Sequence, residues 1–313
     1  MLVISQQNLE KFLGELRGKF DFFELKKEDT LPFKKYFFPP IEETLKIEKK
    51  KIKIPETSVL RDFILYGLPF PALEALTQLD EIMEKPNKDY YYFQRREKSI
   101  VIGKVEEKID VAPGGDIVFE KIKDDVYKVW SVTKKGKNLI KDYLKNFEEA
   151  QEKNDSLPQI PKGTSLSEWS QSMRQLLLDA ELLADAVEWS RKHKIWEELA
   201  EKCLGCGICT YVCPLCYCFS IEDRIGLDGV CSRCRKWDAC TLPNFSKIAG
   251  GHSFRPTLKE RYYNWFYHKF VRAYREYGKS QCVGCGRCKH NCPAEIDIQE
   301  VLTKILEDYK KRI

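Results

Sequence analysis

No cysteine occurs before Cys203 in this chain of 313 residues, and His193 is the only histidine before it. A soft-metal site in that N-terminal stretch is therefore excluded for want of ligands. Nowhere does the sequence approach the roughly 20 consecutive apolar residues that span a bilayer. The opening Met1-Leu2-Val3-Ile4-Ser5 has no basic segment and no long apolar run, so no secretory signal is read and a cytoplasmic location is expected. No G-x-G-x-x-G follows a strand-like run and no P-loop is present, which excludes the common nucleotide cradles. A strong charge of one sign is also missing. The 53 Lys and Arg are interspersed with 48 Asp and Glu, and a net +5 does not by itself point to nucleic acid.

What the chain does have is concentrated. All 13 cysteines lie between Cys203 and Cys292. An odd number of crowded thiols in a chain without a signal argues against a disulfide framework and for metal. Cys203, Cys206, Cys209 and Cys213, followed by Pro214, match C-x2-C-x2-C-x3-C-P. Cys282, Cys285, Cys288 and Cys292, followed by Pro293, match it again. Three thiolates spaced by two residues wrap one [4Fe–4S] cubane, and the fourth points the other way, to the partner cluster. The expected ligand sets are thus Cys203, Cys206, Cys209 and Cys292 for one cluster, and Cys282, Cys285, Cys288 and Cys213 for the other. Gly205, Gly207, Gly284 and Gly286 let the backbone curl so that amides can reach inorganic sulfide. A pair of zinc sites is the bland alternative, but zinc does not need this run of four.

Cys216, Cys218, Cys231, Cys234 and Cys240 remain. Their C-x-C, C-x2-C and C-x5-C spacing supplies thiolates for a third centre, a [4Fe–4S] cluster in preference to zinc, with Cys216, Cys218 and Cys240 joined by one of Cys231 or Cys234. Buried free thiols are the alternative. No catalytic residues are assigned.

The expected fold is α+β. Residues 1–150 read as a mixed α/β domain without metal ligands. Strands are expected at Ile52–Ile54, Val59–Tyr66, Ile100–Gly103, Ile117–Phe119 and Val126–Val132, with helices over Pro71–Glu84 and Lys134–Ala150. Residues 151–166 read as a polar linker. Residues 167–313 form a helical segment, Leu166–Ala200 with a break near His193, then a two-cluster ferredoxin-like domain carrying an insertion over 214–281. Within that insertion Thr257–Tyr277 reads as one helix, with an aromatic stripe of Tyr263, Phe266, Tyr267, Phe270, Tyr274 and Tyr277. The stripe is expected to pack on the cluster domain, leaving Lys259, Arg261, Lys269, Arg272 and Arg275 as a solvated back. The Gly250-Gly251-His252 segment reads as a tight turn, and His268 as structural.

The strings CLGCGICTYVCPLCYCF (203–219), RKWDAC (235–240), AGGHSFRP (249–256), HKF (268–270) and CVGCGRCKHNCPAEIDI (282–298) resemble the iron–sulfur β-subunit of cytoplasmic sulfhydrogenases. The A subunit of anaerobic sulfite reductase is similar. The likeness runs from Trp196 to the end of the chain, and Cys216, Cys218 and Cys240 match family positions, whereas Cys231 and Cys234 do not. A weaker likeness at Tyr66–Leu76 lacks the family's Arg, Cys and Asp. The resemblance implies an electron-transfer subunit between a flavin- and NAD(P)-binding partner and a metal-containing catalytic subunit. The rival is a cluster- or zinc-stabilised module that contacts nucleic acid through its basic aromatic helix. An enzyme in its own right, with substrate meeting a cluster in the N-terminal domain, lacks paired acid–base residues there.

Overall fold

The structure, a computed structural model, describes residues 1–26, 29–49, 51–55, 61–106, 108–109, 114–149 and 168–312. In chain order its strands are β1 (Leu2–Ser5), β2 (Asp21–Glu24), β3 (Ile41–Glu48), β4 (Lys51–Lys53), β5 (Phe63–Leu68), β6 (Ser99–Val105), β7 (Ile117–Lys123), β8 (Val126–Ser131), β9 (Glu148–Glu149), β10 (Phe219–Ile225) and β11 (Cys231–Trp237). The fold is α+β, and the chain divides into two compact units. The first comprises Met1–Asp29 and Glu56–Ser167, the second Thr30–Pro55 and Glu168–Ile313. The sequence reading placed all of 1–150 in one domain. The structure instead assigns Thr30–Pro55 to the second unit, because β3 pairs with β11 across nearly 190 residues, Cys231 facing Ile47 and Arg235 facing Glu42. The linker expected at 151–166 lies outside the described residues.

The first unit is built on a seven-stranded sheet in the order β2-β5-β6-β7-β8-β1-β9. The strands from β2 to β7 pair in parallel and the rest antiparallel. β5 reads Phe-Ile-Leu-Tyr-Gly-Leu and is buried almost throughout, as a central parallel strand must be. Its neighbour helix, Phe70–Glu84, starts with Pro71 in its first turn, where a missing N–H costs nothing, and buries Leu73, Leu76, Leu79 and Ile82. The helix expected over Lys134–Ala150 stops at Asp142. A 3-10 turn and the short β9 follow it, since Tyr143 leaves helical geometry.

The second unit has a four-stranded antiparallel sheet, β10-β11-β3-β4, and a helical core. The helical segment expected over Leu166–Ala200 has its break at His193, as expected, and a second one at Asp179, giving three helices, Glu168–Leu177, Ala180–Trp189 and Ile195–Lys202. Asp179 breaks it by capping the second helix, accepting from the Leu182 amide. Thr257 and Glu260 form a capping box that starts the helix Leu258–Phe266. Trp196, Trp265, Phe266 and Phe270 are fully buried together with the C-terminal helix Ile298–Lys310, and cysteines of both motifs pack against this core. Among the described residues no helix is long and apolar enough to cross a membrane.

Candidate metal centres

The helix Ile195–Lys202 ends at Cys203, whose amide closes it on Leu199 O at 2.9 Å. The two motif loops then repeat one geometry. Gly205 and Gly207 take φ of 64° and 76°, and Gly284 and Gly286 take 63° and 72°. That left-handed pair suits glycine, and at Gly207 a Cβ would also come within 2.8 Å of the Ala239 Cβ. Each loop runs into a one-turn helix, Ile208–Tyr211 or Arg287–His290, which carries the chain on to its fourth cysteine.

Cys203, Cys206, Cys209 and Cys292 line one pocket that is partly open to solvent, and Cys288 also lines it. Reciprocally, Cys213 stands among Cys282, Cys285 and Cys288. Burial, with the Cys213 charge adding to it, pushes Cys285 up to about 12 and raises Cys282 and Cys288 too. Burial likewise raises Cys209, reinforced by Cys203 and Cys206. Thiols held this way keep their protons until a metal displaces them.

The surroundings suit a sulfide-bearing cluster. Thr241 Oγ1 and Trp265 Nε1 are buried without a partner among the described residues, and both side chains line the cavity. Ser280 Oγ, two residues before Cys282, is orphaned as well. A buried donor left unpaired costs roughly 1–3 kcal/mol, and inorganic sulfide is an acceptor that relieves it. Backbone amides already donate to thiol sulfur, Gly205 N to Cys203 Sγ and Ile296 N to Cys292 Sγ, both at 3.4 Å.

Two buried lysines complete the site, and sequence reasoning missed both. The helix expected over Thr257–Tyr277 carries a π-helical segment, Tyr267–Arg272, in its middle. Such segments recur at functional sites. Here the segment contains Lys269, 3% exposed, whose Nζ donates to Cys213 Sγ at 3.3 Å and Gln281 O at 2.9 Å. Lys34, 2% exposed, donates to Cys216 O at 2.5 Å and Thr210 O at 3.3 Å and lies over the Trp237 ring. The buried face of the helix is therefore rotated from the expected stripe. Tyr262, Trp265, Phe266 and Phe270 are buried, and Arg261 and Lys269 are buried with them instead of lying on a solvated back. Of the other cations, Lys259 pairs with Glu197, Arg272 with Glu276 and Arg275 with Glu188. His268 packs beside Tyr217 and Arg272, and burial lowers it to about 4. Gly250 and Gly251 form the tight turn before an exposed His252.

The five remaining thiols divide. Cys216 adjoins Cys213 and Cys218 adjoins Cys240, and the Cys216 charge also acts on Cys240. Cys231 and Cys234 are not brought to them. The Asp238 amide meets Cys218 O where β11 ends, and Cys234 lies four residues back along that strand, about 13 Å at the usual rise.

Residues 202–296 match the family model of the 4Fe-4S dicluster domain. The chain is 31% identical over 296 residues to Sulfhydrogenase 2 subunit beta of Pyrococcus furiosus, covering 88% of this chain and 83% of that one. No solved structure matches. Crossed thiol sets, orphaned donors and the domain match define an iron–sulfur protein of the electron-transfer class, carrying [4Fe–4S] clusters. Within that class the chain belongs to the family of the sulfhydrogenase β-subunits.

Proposed function

We propose that this chain relays single electrons between a flavin- and NAD(P)-binding partner and a metal-containing catalytic subunit, and transforms no substrate itself. The observation that supports the reading is the company each fourth cysteine keeps: Cys292 lines the pocket of Cys203, Cys206 and Cys209, and the Cys213 charge acts on Cys282, Cys285 and Cys288. Two thiolate-ligated [4Fe–4S] clusters held in one core supply low-potential, one-electron chemistry. A flavin in a partner splits the electron pair of a hydride, and this chain passes the electrons on singly. The name of the Pyrococcus relative supports partners of the hydrogenase type.

The reading extends to a third centre at Cys216, Cys218 and Cys240, of which Cys216 adjoins Cys213 and Cys218 adjoins Cys240. Anaerobically prepared full-length chain should hold about 8 iron atoms for two cubanes, and about 12 if the third centre is a cubane. Zinc there would leave iron near 8 and add about one zinc. Dithionite should bleach the visible absorption, and NAD(P)H alone should not. Cys292→Ser should damage the cluster held by Cys203, Cys206 and Cys209. Loss of the Cys282 set instead, or rapid direct reduction by NADH, would sink the proposal.

A further inference from the structure

The two motifs are nearly interchangeable as sequence, C-x-G-C-G-x-C-x3-C-P in both, so any difference between their centres comes from what surrounds them. The surroundings differ in charge. At the second set Lys269 Nζ touches the Cys213 sulfur directly, inside a core that excludes water. The charge of Lys34 also reaches Cys213. Arg287, at the variable position before Cys288, donates to Val212 O at 3.1 Å, and its charge acts on Cys285. The first motif has the neutral Ile208 at that position.

Around the first set the sulfur contacts come from neutral amides, those of Gly205 and Ile296. Two cations reach it without touching a sulfur: Arg261, whose charge acts on Cys203, and Lys269 itself, whose charge also acts on Cys209 from further off than on Cys213. The Arg261 guanidinium is taken up by three backbone carbonyls, Thr241 O at 2.9 Å, Pro256 O at 2.6 Å and Arg255 O at 3.2 Å. Among the thirteen cysteines Cys206 alone is exposed, so solvent reaches the first set. Solvation and hydrogen bonds each raise a cluster's potential, and so does positive charge. An ammonium in contact with a ligand sulfur, in a low-dielectric core, outweighs partial access to water.

We propose that Lys269 makes the two centres unequal: the one held by Cys213, Cys282, Cys285 and Cys288 has the higher reduction potential, and an electron arriving on the Cys206 side comes to rest there. In that step the first centre loses one electron and the second gains it, and no proton or bond changes hands. Lys269 is a positioning residue that acts through the Cys213 sulfur. The inference rests on the two-cluster reading above and gives that wire a direction.

The test is a redox titration of the full chain with dithionite, followed by electron paramagnetic resonance. Iron content is measured first. Iron well below 8 per chain would count against the two-cluster reading itself, not against Lys269. With about 8 iron present two waves are expected, and with about 12 three; Cys213→Ser and Cys292→Ser assign the two that belong to the motif sets. The higher wave should be the one that Cys213→Ser alters. Lys269→Met should lower that wave by more than the other, and Lys269→Arg should leave it near its original position. The inference is overturned if Lys269→Met moves neither wave, or moves the one altered by Cys292→Ser as far as or further than the other. Should the lysine variants fail to hold iron, the order of the two waves still decides: a higher wave belonging to the Cys292 set refutes it.

Discussion

The two units solve burial differently. In the first, buried polar side chains find protein partners. Asp116 accepts from the Val101 amide and the Thr133 hydroxyl, and Glu120 from the Ile109 amide and Trp130 Nε1. Its core is carbon against carbon, with Phe12 edge-on to Phe119, Tyr143 and Phe147. Orphans exist there too, Tyr143 Oη and Asn146 Nδ2, but no thiols surround them. In the second unit the orphaned Thr241, Trp265 and Ser280 sit beside cysteines, and two lysines are buried with thiols as the anions acting on them. The first unit holds no cysteine. The second is folded around a group that must be added.

The sharpest way to test that contrast is to remove the iron. Metal binding to such sites is worth on the order of 10 kcal/mol of folding free energy. Hydrogen exchange on the chelated chain should show protection lost across the motif loops and their helices, while β5, β6 and β7 keep theirs. Equal loss in both units would erase the distinction. A smaller effect runs the other way. Phe12→Ala should cost about 3–5 kcal/mol in the first unit, yet leave the iron content unchanged, as checked by thermal melts and metal analysis of one preparation. A drop in iron would show that the units do not fold independently. The smallest effect is the most local. Thr241→Val removes an orphaned hydroxyl, so the iron-free chain should be unchanged or stabilised by up to about 1 kcal/mol. The loaded chain should lose a donor and show a lower potential for the first centre. Destabilisation of the iron-free chain would mean the hydroxyl already has a partner.

Legibility in the sequence followed the range of the interactions. The eight motif cysteines and their left-handed glycines are local, so spacing alone places them. The helix Phe70–Glu84 was readable from its proline and its apolar stripe. The buried lysines were not. A lysine in a basic, aromatic helix reads as solvated, and only the π-helical segment and the sulfur opposite explain Lys269. Lys34 finds its carbonyl partners 176 and 182 residues away, a separation that no pattern of residues reveals. The same holds for the register of β3 on β11, which moved Thr30–Pro55 out of the first unit. Cys231 and Cys234 were grouped with the third centre by count, whereas the strand they occupy carries them away from it.

The excursion of Thr30–Pro55 has a consequence for how the protein is made. On the ribosome β3 emerges nearly 190 residues before β11, the strand it must pair with. At about 5–20 residues per second that is a wait of roughly 10–40 seconds. During that time the flanking stretches of the first unit can collapse, and the β3–β4 hairpin waits with an unpaired edge, the kind of surface that recruits other nascent chains. Its composition limits the hazard. Glu42, Glu43, Lys46 and Glu48 stud β3, and Lys51 and Lys53 flank the only apolar residue of β4. Glu42, finally buried against Arg235 at 2.6 Å, serves first as a gatekeeper during synthesis and later as a clasp.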